Sequence, residues 1–223
     1  MPAISQQAYL AGFSPLSLTW VVGTDTNVGK THVTGRLYQE SHRKGLAITT
    51  QKWVQTGEEC DIDEHDRIAG IRGDITLRSY RMPYQFVPPV SPHWAAVMAR
   101  TSIDFAVIEH ALTQLRLQHH VVIEGSGGVM VPLAMGSLMI DYMVRLGGQV
   151  VLVVPNRVGA LNHTHLTMEA LLNRGVQVEA IILNRGVSVE TNEGVLEENH
   201  RYCSLVWPSL WVVDWGSWGG HRE

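Results

Sequence analysis

The sequence predicts a three-layer α/β/α fold built on a mostly parallel sheet. Short apolar runs alternate along the chain with segments whose apolar residues recur at helical spacing. Three of the runs are continuous, without the alternation of a half-exposed strand, which suits a parallel sheet covered on both faces. A glycine-containing turn joins the first run to the first long helical segment, and the β-α-β-α order that follows belongs to sheets flanked by helices. At 223 residues the chain fits one domain over 1–223, able to bury roughly 70% of the surface its unfolded form exposes.

The elements follow in order. Residues 16–22 form an apolar strand, and 33–43 a helix ending near Gly45. Residues 46–54 read as a second strand and 62–70 as a short helix. Asp61, Asp63, Glu64 and Asp66 crowd its head, where capping and the helix dipole favour carboxylates. The stretch 80–92 carries four prolines, Pro83, Pro88, Pro89 and Pro92, and so excludes a regular helix or a central strand. In 103–117, Ile103, Val107, Ile108, Ala111, Leu112 and Leu115 fall at helical spacing. A buried strand at 121–123, a helix at 138–146 and a strand at 150–154 come next. A helix at 161–173, stopped by Gly175, and a strand at 180–183 follow. Residues 210–213 can add a final strand. Trp207, Trp211, Trp215 and Trp218 either pack against the sheet edge or a neighbouring subunit, or form a stacking wall for an adenine ring. Residues 1–15 read as an extension and 216–223 as a tail, both expected to be poorly ordered.

Composition narrows the function classes. Apolar residues make up 45% and charged residues 17%, the balance of a globular chain with a substantial core. A net charge of −4 gives no footprint for nucleic acid or an anionic membrane. The eleven histidines are scattered without the spacing of a zinc site and read as surface residues. Cys60 and Cys203 stand far apart, with no secretion signal ahead of them, and no apolar run reaches the ~20 residues of a membrane span. A cytoplasmic protein is expected.

Three segments carry chemistry. In Gly23-Thr-Asp-Thr-Asn-Val-Gly-Lys-Thr31, a strand, a turn and a helix N-terminus make an anion site. Turn N–H groups point inward, the helix dipole favours negative charge, and Gly29 lets the backbone approach a phosphate. Lys30 would reach the β/γ-phosphates and the Thr31 hydroxyl would hold Mg²⁺, as in a P-loop, which makes the fold P-loop NTPase-like. The spelling departs from the usual pattern, because five residues separate Gly23 from Gly29 and Thr24 takes the place of the first glycine. Lys52-Trp-Val-Gln-Thr-Gly57 ends the second strand, where ligands of open α/β sheets bind. Lys52 there either neutralises charge on a transferring phosphoryl group or snorkels to solvent, and Thr56 can bond a substrate. Glu124-Gly-Ser-Gly-Gly128 follows the 121–123 strand, and an acid at that place typically holds Mg²⁺ directly or through water. One of the carboxylates at 61–66 can add a second magnesium contact.

These residues resemble the dethiobiotin synthetases of biotin biosynthesis. The phosphate turn looks like that family's own version, extra residue included, and Lys52-Trp-Val-Gln-Thr-Gly57 is similar to its Lys-Pro-Val-x-Thr/Ser-Gly motif. Ser91-Pro92-His93, Glu124-Gly-Ser-Gly-Gly128 with Pro132-Leu133, and Val158-Gly-Ala-Leu-Asn-His163 also match family segments, so the set spans about 20–185. Two departures stand out: Trp53 takes the place of a proline, and the tryptophan-rich end matches poorly.

The resemblance implies a reaction in which ATP, CO₂ and 7,8-diaminopelargonate give dethiobiotin, ADP and phosphate, with Mg²⁺ as cofactor. It also implies roles. Lys52, Lys30 and Thr26 are catalytic, with Thr26 and Lys30 at the carbamate and phosphates. The nucleotide site comprises Asn27, Val28, Gly29, Lys30, Thr31, His32, Asp61, Glu124, Gly125, Ser126 and Gly127, with Asn184 at the adenine. Thr31, Asp61 and Glu124 bind the metal, with Asp63 as the alternative to Asp61. Thr26 and Thr56 contact the diamine, while Gly159, Ala160 and Asn162 hold its carboxylate across the interface of a homodimer with a shared site. Other readings keep the same turn. An amidating ligase of the cobyrinate kind usually carries a glutaminase domain for which this chain has no room. A nucleotide-switch protein of the partitioning kind favours another lysine early in the turn, and 24–26 has none. A catalytically silent relative differs only in turnover.

Overall fold

The computed structural model describes residues 4–13, 18–187 and 192–216. The chain opens with strand β1 (Ile4–Ser5) and helix α1 (Gln6–Gly12), capped by the Ser5 hydroxyl accepting from the Ala8 N–H at 3.2 Å. β2 (Leu18–Gly23) leads through the phosphate turn into α2 (Lys30–Arg43). β3 (Ile48–Lys52), β4 (Val54–Thr56) and α3 (Asp61–Ala69) follow. A 3₁₀ turn (Ile75–Leu77), α4 (Arg78–Arg81), β5 (Tyr84–Phe86) and α5 (Pro92–Met98) precede α6 (Phe105–Arg116). Then come β6 (His120–Gly128), the hairpin strands β7 (Pro132–Ala134) and β8 (Ser137–Leu138), and α7 (Met139–Leu146). β9 (Gln149–Pro155), α8 (Ala160–Leu172), β10 (Gln177–Asn184), α9 (Glu193–Val206) and β11 (Trp211–Trp215) complete the described chain.

The main sheet has the order β1-β11-β10-β9-β2-β6-β3, with every neighbouring pair parallel. Both faces are covered, as the continuous apolar runs predict. Alternate residues of β2 point to opposite sides. Leu18, Trp20 and Val22 join a core with Ile108 and Leu115 of α6, Met143 of α7 and Leu171 of α8. Val21 joins a second core with Val33 and Leu37 of α2 and Tyr9 and Leu10 of α1. The three layers and the parallel sheet are those the sequence predicts.

The differences have local causes. The strand expected over 46–54 breaks at Trp53 into β3 and β4, and β4 leaves the main sheet to pair with β5. Trp53 is buried edge-on against Trp20, Phe105 and Tyr142, with ring centroids 5.0, 6.1 and 6.1 Å away, so a core side chain stands where the resemblance implies proline. β6 runs on through Glu124 to Gly128, well past the expected 121–123. The helix expected over 138–146 starts one residue later, because Leu138 belongs to β8. α5 and α9 were not anticipated. Pro92 at the first position starts α5, whereas α9 buries a mixed stripe of Leu196, Asn199, His200 and Cys203 that hides its periodicity.

Residues 4–13, read as part of an extension, form β1 and α1 at the sheet edge, with Tyr9, Leu10 and Phe13 buried. Lys44, just past α2, caps the end of α1 by donating to the carbonyls of Leu10, Ala11 and Phe13 at 2.8–2.9 Å. Three of the C-terminal tryptophans pack. Trp215 is fully buried, Trp211 tilts on Tyr9 at 6.1 Å, and Trp207 tilts on His165 at 4.9 Å. Trp218 and the rest of 217–223 lie outside the described residues.

Candidate active site

Sheet register brings the three chemical segments together. Gly23 at the end of β2 is opposite Gly128 of β6, and Lys52 at the end of β3 is opposite Glu124 of β6. These are the carboxyl ends of parallel strands, where such sheets bind ligands.

The turn between β2 and α2 is shaped by Gly29. It caps α2 with φ of 97°, in the left-handed region, and a Cβ there would collide with the Asn184 side chain. No side chain caps α2, so its first N–H groups are available to an anion. The buried Lys30 folds back so that its Nζ donates to the Asp25 carbonyl at 2.8 Å. Burial, with Lys52 nearby, lowers the Lys30 pKa to about 8. On the far side of the turn, Asn184 at the end of β10 donates to the Val28 carbonyl at 2.9 Å and accepts from the Gly186 N–H at 3.0 Å. Asn184 therefore braces the phosphate turn.

Lys52 does not snorkel. It is buried, and its Nζ meets Asp61 Oδ2 at 2.5 Å, Glu124 Oε1 at 2.9 Å and the Gly125 carbonyl at 3.1 Å. The Thr31 hydroxyl lies 3.2 Å from Asp61 Oδ1 and 3.1 Å from Glu124 Oε1. Burial works against charge on Lys52, but Glu124 and Asp61 outweigh it and hold the ammonium above its ordinary range. Burial likewise opposes charge on Glu124, yet Lys52 and the hydrogen bond from His65 hold that carboxyl well below its ordinary range. Both groups are charged at neutral pH.

One hydroxyl and two carboxylates converging within hydrogen-bond distance are hard oxygen donors, the set that suits Mg²⁺ shared with phosphates. Among the described residues no group of three or more His, Cys, Asp or Glu could hold a metal alone. Asp63 is turned away and pairs with Arg78, leaving Asp61 as the carboxylate beside Thr31.

Comparison with known proteins then decides the family. The model described as an AAA domain matches residues 19–208. The ATP-dependent dethiobiotin synthetase BioD of Chlorobaculum tepidum is 41% identical, over 82% of this chain and 81% of its own. BioD 2 of Haemophilus influenzae is 35% identical over 74% and 89%, and BioD of Lysinibacillus sphaericus 34% over 86% and 85%. The chain belongs to the dethiobiotin synthetase family.

Of the residues the sequence singles out, Thr31, Lys52, Asp61, Glu124 and Gly125 are joined by hydrogen bonds and ion pairs into one cluster, and Lys30 lies close enough to feel the charges of Lys52, Glu124 and Asp61. Thr26 is exposed on the turn beside Gly127, whose added Cβ would lie 3.5 Å from the Thr26 hydroxyl. Ser126 donates to the Val54 carbonyl at 2.9 Å, which ties the synthetase glycine segment to β4 and so to Thr56 at its end. His32 packs edge-on to Trp215 at 6.3 Å, and burial lowers its pKa to about 4. Gly159, Ala160 and Asn162 begin α8, and no hydrogen bond described joins them to the Lys52 cluster.

One residue that belongs to the cluster was missed. His65 is fully buried, against the expectation that the histidines lie on the surface, and its Nε2 stands 2.6 Å from Glu124 Oε2. Its only signal in the sequence is the spacing from Asp61, four residues earlier on one face of α3.

Proposed function

We propose that this chain makes dethiobiotin, ADP and phosphate from 7,8-diaminopelargonate, CO₂ and ATP. The observation that carries the reading is Lys52 Nζ, buried and charged between Asp61 and Glu124 and next to the Thr31 end of the phosphate turn. Phosphoryl transfer asks mainly for positioning and charge neutralisation, and this arrangement supplies both.

One amine of the diamine takes up CO₂ and releases a proton, giving a carbamate. A carbamate oxygen attacks the γ-phosphorus, and ADP leaves. The second amine then attacks the carbonyl of the mixed anhydride and gives up a proton, and phosphate leaves as the ureido ring closes. Lys30 swings from the Asp25 carbonyl to the phosphates, and Lys52 neutralises the charge that gathers on the transferring group. Asn27, Val28, Gly29, His32, Gly125, Ser126 and Gly127 line the nucleotide, with Asn184 on its base side. Thr26 meets the carbamate and Thr56 the diamine. Thr31, Asp61 and Glu124 would hold Mg²⁺, which when bound neutralises phosphate charge. Gly159, Ala160 and Asn162 take the carboxylate of the substrate on a partner subunit. The uncapped start of α8, with Gly159 at φ of 86°, is suited to an anion. We read the protein as a cytoplasmic homodimer of single-domain subunits, and no described helix is long and apolar enough to cross a membrane.

Phosphate release from Mg·ATP and bicarbonate, with and without the diamine, tests the reading. Release should depend on the diamine, yield dethiobiotin by mass spectrometry, and drop about 100-fold or more in Lys52→Ala. Slow release indifferent to the diamine would favour a nucleotide switch, and tight ATP binding without release a silent relative.

A further inference from the structure

The two oxygens of Glu124 have different partners. Oε1 meets Lys52 and Thr31, at 2.9 and 3.1 Å, whereas among the described residues Oε2 meets only the ring of His65, at 2.6 Å. The other ring nitrogen, His65 Nδ1, stands 3.1 Å from the Thr50 hydroxyl. That hydroxyl accepts from Arg81 Nη2 at 2.8 Å, and Arg81 is clamped to Asp66 by bonds of 2.7 and 2.8 Å. His65, Thr50, Arg81 and Glu124 are all buried.

The chemistry of the partners fixes the direction of the two outer bonds in this chain. An ionised carboxylate only accepts, so His65 carries its hydrogen on Nε2. A guanidinium only donates, so the Thr50 oxygen receives from Arg81, and its own proton is free to be directed to His65 Nδ1. With hydrogen on Nε2 and a lone pair on Nδ1, donors point one way, from Arg81 through Thr50 and His65 to Glu124. The opposite tautomer would set a lone pair against Oε2 and leave the Thr50 proton without an acceptor.

We propose that His65 is a positioning residue. With Thr50, Arg81 and Asp66 behind it, His65 locks the Glu124 carboxylate so that Oε1 stays at the Thr31–Lys52 junction, and it thereby sets the affinity of that junction for a divalent cation. The last torsion of a glutamate is broad and roughly two-fold, so a carboxylate held only through Oε1 would swivel. This proposal rests on the reading of Glu124 as a metal-side carboxylate. Partners that orient metal ligands in this way typically govern affinity by about 10–100-fold.

The test uses Mn²⁺ as the probe, with a non-hydrolysable ATP analogue and the whole protein. Mn²⁺ affinity by electron paramagnetic resonance should weaken about tenfold or more in His65→Leu. It should stay within about threefold of wild type in His65→Gln, whose amide can donate from nearly the same place. Thr50→Val, which cuts the chain one bond further out, should also weaken Mn²⁺ binding. In the metal-free wild type, ¹⁵N resonances of His65 should show hydrogen on Nε2. Unchanged Mn²⁺ affinity in His65→Leu, equal loss in the Leu and Gln variants, or absence of hydrogen from Nε2 would overturn the proposal. If His65→Leu does not fold, Thr50→Val decides alone: weaker binding supports the proposal and unchanged binding overturns it. Glu124→Gln with unaltered Mn²⁺ affinity would remove the metal role of Glu124, and the role of His65 with it. Loss of the diamine-dependent reaction alone would overturn the proposed substrate while leaving a His65-dependent Mn²⁺ affinity as evidence for positioning.

Discussion

Two glutamates show how partners, more than depth, decide the state of a buried carboxyl. Glu124 is almost fully buried, yet Lys52 and His65 hold it well below its ordinary range. Glu179, on β10, is less deeply placed, but no partner is described for its Oε2, and burial raises its pKa to about 7. The folded state therefore binds more protons than the unfolded chain between 4.5 and about 7, and stability falls as pH rises through that window. The penalty is absent below 4.5 and complete above about 7. Glu179→Gln should accordingly raise Tm at pH 8 and leave it unchanged near pH 4.5. Solvent screening at this partly open group limits the gain to roughly 2–4 °C, the shift that about 1 kcal/mol produces in a chain of this size. Equal effects at both pH values in calorimetric scans would refute the unpaired-charge account.

At the scale of elements, Trp53 decides where the second strand stops. Its ring fills the space between Trp20, Phe105 and Tyr142, and its Nε1 donates to Gln51 Oε1 at 3.0 Å. Trp53→Pro, the residue the resemblance implies, should therefore destabilise the protein by about 3–5 kcal/mol, the usual cost of emptying a large aromatic site. A denaturant midpoint equal to that of wild type would show that the neighbouring rings close the space. Trp53 also shows what the sequence could and could not reveal. Apolar runs exposed the central strands, because strands buried on both faces need no alternation. The phosphate turn and Lys52 were legible because their chemistry is tied to strand ends. By contrast, α9 was hidden by Asn199 and His200 on its buried face, and β6 looked short because its glycines resemble a loop. The Thr50–Arg81–Asp66 chain was illegible for another reason: its members come from three elements and meet only through tertiary packing.

The whole molecule poses the question of where the substrate carboxylate goes. The Lys52 cluster lies at the ends of β3 and β6, while Gly159, Ala160 and Asn162 follow β9 at the start of α8, with no described hydrogen bond between the two groups. Asn162 is exposed, and Val158 and Leu166 around it are 74% and 59% exposed. An exposed, uncapped helix start flanked by bare apolar side chains is suited to completing a neighbour's site, as the proposed homodimer requires. Such an arrangement makes a prediction about mixed dimers. Lys52→Ala and Asn162→Asp should each be nearly inactive alone, the second because it sets a negative charge against the substrate carboxylate. In a heterodimer of the two, one shared site carries both lesions and the other carries neither, so about half the wild-type turnover per dimer should return. Differently tagged chains purified as the mixed species would give that number directly. Heterodimers as inactive as their parents would place the carboxylate pocket within a single chain. A protein that runs as a monomer at assay concentration would remove the shared site altogether.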